Sequence, residues 1–568
     1  MPVKIFQAAW SPFRLFWAFG NLLWIPICFL NFDPHHDGLI LATINQLKGS
    51  FLNGGDWPFN QYGSTWAFPY LVVSYLVPSN FLLLGIRLVT VLFYIGSSYY
   101  LYKVAFFIYG VRVARISVYF FLALQPFLGS WNTSLLPWPS SVVSLLIPMV
   151  LYLLLKSIES VGKESKKYVS FLGILSGFII GARIQVGIVL VALITIFLSY
   201  YLSDRARYLW VGLLAWFAPW AIFLQTQGWL RDSLYDSVIL AFQFLGSDRL
   251  QYPLPILSLL SGLILASLVA VLDRSQVQVK YLILVFTCLA SAAVYFSMRV
   301  LGDSSTAINI TSVIQRKLLA SVFFGALLLL LFEIIRLIRT EEVTRHRVSE
   351  SSLRRIALYI VSISAVTQAW PFFDQMHIWW SISPLLVVFS ARVVGFNATK
   401  FNFSTKGILV VTTLVMVLLV SSQFSTKRVE LRSINQKLIY VDESSERFDA
   451  GVQDFLHRNL PGGSEILNLC PNAYPFFRAG EYESTSRFFV YWSNFETARL
   501  DYRDYSPSTV KNILVCETYL YQGEALRKYR ERQRAILLGI PGLKLIDELE
   551  NGSFRLRLFT TEPFPVKE

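Results

Sequence analysis

Two acids and two histidines crowd into one short stretch near the start of the chain, DPHHDG at positions 33–38. Only five histidines occur in all 568 residues, so finding His35 and His36 flanked by Asp33 and Asp37 is a marked concentration. A carboxylate held close to an acceptor hydroxyl takes its proton as a general base. Asp37 and Asp33 are the candidates for that work, with His35 and His36 beside them as substrate-binding groups. Each also has a plainer role. An aspartate at a helix start caps it, and Asp37 stands at the head of GLILATINQLKG, where Leu39, Ile40, Ile44 and Leu47 recur at helical spacing. For Asp37 capping and catalysis weigh equally and coexist; for Asp33 supporting hydrogen bonds weigh more. Two carboxylates with imidazoles are also compatible with a divalent metal, although their spacing selects none. No other cofactor is indicated.

Further polar residues interrupt apolar sequence elsewhere. Asn60, Gln61 and Tyr62 follow in FNQYGSTWAF, and Arg183 with Gln185 in GARIQVG. Asp374 and His377 lie in FFDQMHIWW, and Arg299, Arg316 and Lys317 border another polar connection. Charge at membrane depth is costly and is kept for function or for pairing inside a cavity. Arg183 breaks a very short turn between two hydrophobic runs, which favours a functional role. For Arg87 and Arg299 such a role weighs equally with the plainer one of snorkelling or binding ordinary lipid headgroups. His377, next to Trp379 and Trp380, stands equally as part of an interfacial aromatic belt.

The elements that must carry these residues are membrane helices. The chain is 54% hydrophobic and only 15% charged, with its apolar residues gathered in blocks near the length that crosses a bilayer as a helix. A helix satisfies its own backbone in lipid; the alternating ten-residue strands of a barrel are missing. The blocks fall near 13–31, 84–106, 116–130, 139–156, 168–182, 185–202, 208–224, 254–272, 279–298, 318–336, 355–371, 377–392 and 406–424, about thirteen crossings. The first reads as a retained spanning helix, not a cleaved leader. Residues 66–83, broken by Pro69 and Pro78, read as a helix lying near the interface.

With the N-terminus in the cytoplasm, the inner connections carry Arg112 and Arg115, Lys163 to Lys167, Arg205 and Arg207, and the Arg336–Arg355 run. The outer loop 32–83 holds only Lys48, so the basic bias supports this orientation and puts the C-terminus outside. The net charge of +14 therefore reads as topology, and no nucleic-acid partner is expected. After 424 the composition turns polar. The strands SEILNL and NILVCE and the helices SERFDAGVQDFLHRNL and GEALRKYRERQRAILL predict an extracytoplasmic α/β domain over 425–568, beyond a membrane domain over 1–424. Cys28 and Cys288 read as buried fillers. Cys470 and Cys516 form a disulfide if that domain is outside, or are two buried thiols, the reading slightly preferred.

The chain resembles the GT-C superfamily of polytopic glycosyltransferases that use polyprenyl-linked sugar donors. The likeness covers the membrane region. It rests on a short inner N-terminus, one helix, the acidic outer loop DPHHDG followed by FNQYGSTWAF, and LLLGIRLVTVLFYIGSSYYLYKVAF as the second helix. No compact DxD pair and no WWDYG-type sequence occurs, so the resemblance is to the superfamily and not to protein N-glycosylation in particular. It implies a GT-C-like fold, a polyprenyl-phosphate or polyprenyl-diphosphate sugar as donor, and a glycan, lipid or protein of the cell envelope as acceptor. It implies Asp37 as base, with Asp33, and Arg183, Arg299, Arg316 and His377 on the donor phosphate. His35, His36, Asn60, Gln61, Tyr62 and Asp374 would contact substrate. The expected location is a plasma membrane, the inner membrane of a bacterium, with membrane lipid around the helices. A lipid or glycan transporter or flippase, and a polysaccharide polymerase, are the competing readings; a channel ranks last.

Overall fold

A computed structural model of the chain describes residues 12–34, 36–53, 65–124, 135, 137–240, 304–339, 348–369, 375–395, 427–478, 480–485, 509–517, 523–551 and 554–562. The expected spans 254–272, 279–298 and 406–424 lie outside them, as do His35, Asn60, Gln61, Tyr62, Arg299 and Asp374.

The first apolar run does not make one continuous helix. It is broken at Leu23 into α1 (Pro12–Leu22) and α2 (Trp24–Ile27). Pro26 lacks the N–H that would continue the ladder, and Asn31 takes a left-handed conformation, φ 61°. The chain then enters α3 (His36–Asn53) and the short α4 (Phe68–Leu76). Nine residues of helix rise about 14 Å, far less than a hydrocarbon core. α4 turns Phe68, Val72, Tyr75 and Leu76 outward, as an interface-lying helix would.

α5 (Leu82–Tyr109) and α6 (Val111–Ala123) meet at Gly110, whose φ of 87° makes the reversal. The remaining membrane-type helices are α7 (Pro139–Glu159), α8 (Gly162–Ala182), α9 (Ile184–Tyr201), α10 (Ser203–Thr226), the short α11 (Leu230–Leu234), α12 (Ser304–Arg339) and α13 (Glu350–Val366). The last expected block here is split at Ile382 into α14 (Gln375–Ser381) and α15 (Ser383–Gly395). Among the described residues five helical stretches are long and apolar enough to cross a bilayer: Ser79–Tyr109, Pro139–Glu159, Ile184–Tyr201, Ser203–Thr226 and Leu319–Leu337. α8 and α10 approach to backbone contact. A Cβ on Gly173 would stand 2.2 Å from the Leu209 carbonyl oxygen, so only glycine permits the packing.

The C-terminal region carries α16 (Glu443–Asn459), α17 (Gly523–Leu538) and two sheets. β1 (Arg428–Glu430) pairs antiparallel with β2 (Tyr440–Asp442). The larger sheet comprises β3 (Glu465–Leu469), β4 (Glu483–Ser484), β5 (Asn512–Glu517), β6 (Lys544–Asn551) and β7 (Phe554–Thr560), in the order β4-β3-β5-β7-β6. β3 runs parallel to β4 and β5, while β7 is antiparallel to β5 and β6. The expected strands and helices of this region therefore form where the sequence pattern puts them. Leu467, Leu469, Ile513 and Val515 pack with Tyr529 on the α17 face of the sheet. The opposite face joins the main core, which runs unbroken into the membrane helices.

Cys470 and Cys516, the residues next to the paired Leu469 and Val515, are joined in a disulfide with a Cα separation of 5.1 Å. The preference for buried thiols is thereby corrected: parallel pairing of β3 and β5 sets the two side by side, a relation invisible at a sequence separation of 46. Cys28 is free and buried.

Candidate active site

Asp33 and the first turn of α3 close on one another. Asp33 stands ahead of α3, and its Oδ1 accepts the His36 N–H at 3.3 Å while its carbonyl accepts the Gly38 N–H at 3.1 Å. These bonds satisfy donors that a helix start leaves open. His36 Nδ1 lies 2.7 Å from Asp33 Oδ2. Asp37, in the first turn, reaches back so that its Oδ2 accepts the Asp33 N–H at 3.1 Å.

The same Oδ2 receives Nη2 of Arg87 at 2.6 Å, and both side chains are completely buried. Arg87 comes from α5 and donates further to the carbonyls of Cys28 at 3.0 Å, Leu30 at 2.9 Å and Asn31 at 2.7 Å. Buried and hydrogen-bonded through both terminal nitrogens, it does not snorkel; of the two alternatives for Arg87 the structure has the internally paired one, a clamp on the turn that delivers Asp37. Oδ1 of Asp37 is buried and has no partner among the described residues. Burial pushes the Asp37 carboxyl above the usual range, and Arg87 only partly offsets it.

Aromatic and polar contacts run from this turn to residues far away in sequence. The His36 ring meets the Trp138 ring edge-on at 5.0 Å. Trp138 leads into α7, where Ser141 lies 3.1 Å from the Tyr94 hydroxyl. That hydroxyl accepts from the Trp380 indole at 3.1 Å, and Trp380 packs against His377 with ring centres 5.3 Å apart. Gln368 donates to the Trp380 carbonyl at 3.4 Å, and Arg183 donates to the Gln368 carbonyl at 3.5 Å. Asp33, Asp37, His36, His377 and Arg183 thus belong to one connected, largely buried set. Arg316 lies on α12, with its side chain outside the described part.

Arg183 itself is the one residue between α8 and α9 and is nearly buried. Beside it begins a groove of about 590 Å³ along α8, α9 and α10, lined by apolar side chains such as Ile180, Ile188, Val191 and Phe217. Sequence reasoning passed over Tyr94, Ser141 and Gln368 because each is an unremarkable polar residue in an apolar helix or turn.

The C-terminal region closes over the motif. Tyr440 donates its N–H to the Phe29 carbonyl at 2.7 Å and accepts the Asn31 N–H at 2.8 Å. Arg428 Nη1 donates to Asn31 Oδ1. Phe477 meets Phe32 edge-on at 5.4 Å, and a Cβ on Gly38 would lie 2.4 Å from its ring. Among the described residues no group of three His, Cys, Asp or Glu side chains is arranged to hold a metal ion.

No protein-family model and no curated protein matches the sequence. Among solved structures the chain is similar to ArnT from Cupriavidus metallidurans bound to undecaprenyl phosphate, at 13% identity over 97% of this chain and 98% of that one, TM-score 0.47. It is also similar to the Archaeoglobus fulgidus oligosaccharyltransferase in the apo form, at 11% identity over 90% of this chain and 70% of that one, TM-score 0.44. The same enzyme in complex with Zn and sulfate is matched at 11% identity over 88% and 67%, TM-score 0.46.

Proposed function

We propose that the chain is a GT-C-type membrane glycosyltransferase that moves a sugar from a polyprenyl-linked phosphate donor to a cell-envelope acceptor at the outer membrane face. The observation that carries this reading is the held carboxylate of Asp37. Arg87 fixes Oδ2, Asp33 and its backbone shape the turn, and Oδ1 is left without a protein partner among the described residues. An acceptor hydroxyl at Oδ1 loses its proton there as its oxygen attacks the anomeric carbon. The bond from that carbon to phosphate oxygen breaks, and the lipid phosphate leaves with the electron pair. A base of raised pKa pulls harder on that proton at neutral pH. Arg183, with His377 nearby in the network, is suited to the charge growing on the phosphate. The apolar groove beside Arg183 suits a prenyl tail that stays in lipid. Two observations support an outer location: the basic bias of the opposite loops and the Cys470–Cys516 disulfide, which persists in oxidising compartments.

The test is transfer by the purified chain in lipid nanodiscs, using radiolabelled polyprenyl-phosphate sugar and a cell-envelope glycan fraction as acceptor. Wild type should release lipid phosphate and label the acceptor, and Asp37→Asn should slow this by about 10²-fold or more. An Asn variant that turns over like wild type removes Asp37 from the base role.

A further inference from the structure

α3 carries more than the candidate acids. Eight residues beyond Asp37, and so about 12 Å along the same helix, Asn45 lines a second cavity of about 230 Å³. Its other walls are Ser79, just ahead of α5, and a set from the C-terminal region that includes Asn435, Gln436, Arg478 and Glu481. The cavity therefore lies on the seam between the outer-loop helix and the region that closes over it.

The walls are held in place. Gln436 accepts the Leu83 N–H at 3.1 Å and donates to the Ser79 carbonyl at 3.0 Å. Arg478 donates Nε to the Ser433 carbonyl at 3.0 Å, with Nη2 on the same oxygen, and Nη1 lies 3.3 Å from Glu481 Oε1. His457 meets that same Oε1. The guanidinium is thus committed and its charge is answered. Glu481 Oε2, by contrast, is a buried atom with no partner among the described residues. The hydrogen bond from Asn45 to the Phe477 carbonyl is long, at 3.5 Å.

These features select a ligand class. A phosphate or carboxylate would meet the Glu481 carboxylate and find Arg478 already engaged. An apolar group would leave a carboxylate oxygen and amides without partners, which is costly. A neutral polyol both donates, to the Glu481 carboxylate, and accepts, from the Asn45 amide. The space is smaller than a typical drug-sized pocket, at roughly 300 Å³ and above. It suits a single pyranose ring.

We propose that this seam cavity binds a neutral pyranose ring of the acceptor, remote from the ring or group that receives the new sugar. The proposal rests on the transferase reading above and gives its acceptor a class: a glycan long enough to reach from the DPHHDG turn to Asn45. Asn45, Glu481 and Asn435 select that acceptor and take no part in the chemistry.

Saturation-transfer NMR on the full chain in nanodiscs tests this, with the methyl glycosides of glucose, galactose, mannose and N-acetylglucosamine as probes. At least one should receive saturation in wild type. Asn45→Ala and Glu481→Gln should each weaken that binding by about tenfold, the size of one lost hydrogen bond near 1.4 kcal/mol. Glu481→Gln also disturbs Arg478 and His457, so Asn45→Ala, which removes only one long hydrogen bond, is the decisive variant if the other fails to fold. Asp37→Asn should bind the glycoside as wild type does. Saturation of no probe, equal binding in Asn45→Ala, or displacement by inorganic phosphate at matched concentration would each overturn the proposal. Loss of transfer without loss of glycoside binding, or the reverse, separates this site from the transferase reading.

Discussion

Arg87 shows how one side chain converts a loose turn into a geometry fit for chemistry. Three of its hydrogen bonds close residues 28–31, and the fourth holds Asp37. Lysine keeps the charge but, as a compact point donor, does not span four acceptors in a planar fork. In Arg87→Lys the Asp37 carboxylate is therefore less well held while its burial is unchanged. A base works when deprotonated, so activity falls as pH drops through its pKa; burial already lifts that pKa, and a weaker partner lifts it further. The acid limb of kcat/KM against pH should move to higher pH in Arg87→Lys, with a lower Tm from the weakened buried pair. An acid limb that stays in place while Tm falls would leave Arg87 a structural clamp only and would set the titrating base elsewhere. From the sequence, Arg87 is one cation in LLLGIRLVTV and nothing marks its partner fifty residues earlier. Asp37 is legible because its neighbours in the chain are also acids and imidazoles.

At the scale of elements, helices and strands of the C-terminal region were readable because periodicity and composition are local. NILVCE became β5 and GEALRKYRERQRAILL became α17. The docking of that region on the DPHHDG turn was not readable, because it depends on Phe477, Tyr440 and Arg428 meeting residues about four hundred positions away. The contact at Gly38 makes this docking measurable. A methyl group there would stand 2.4 Å from the Phe477 ring, inside any allowed contact. Gly38→Ala must therefore displace the Phe477 ring from the head of α3. We expect Gly38→Ala to lose stability by about 1–3 kcal/mol, as overpacked sites do, and to lower transfer by disturbing Asp37 one residue away. Phe477→Leu alone should cost less than Phe477→Ala, and the double variant Gly38→Ala, Phe477→Leu should recover much of the Gly38→Ala loss. Thermal unfolding of the four proteins in one lipid system reads the coupling; strictly additive losses would mean that the two residues do not meet.

For the whole molecule, the decisive matter is on which side of the membrane the covered turn and its C-terminal partner lie. The proposed outer side of the turn rests first on the lysine and arginine bias of the loops. The disulfide adds a chemically independent argument, since reducing compartments keep such thiols apart. It is also expected to matter for folding. Closing a loop of 46 residues removes unfolded-state freedom equivalent to about 4 kcal/mol in the chain-entropy description. Both arguments meet in one measurement on intact spheroplasts expressing a Cys28→Ser, Cys288→Ser chain, which leaves only Cys470 and Cys516. A membrane-impermeant maleimide should label nothing before treatment. After mild unfolding with an impermeant phosphine reductant, it should add twice while the cytoplasmic membrane stays sealed. Labelling without reduction would mean that the two thiols are apart, and labelling only after the membrane is opened would put the C-terminal region in the cytoplasm. In the latter case the DPHHDG turn would lie inside as well, because Tyr440 and Arg428 hydrogen-bond to Phe29 and Asn31 just ahead of it and Phe477 packs on Phe32. The outward-facing transferase would then be wrong as a whole, whatever the fate of Asp37 in a test tube.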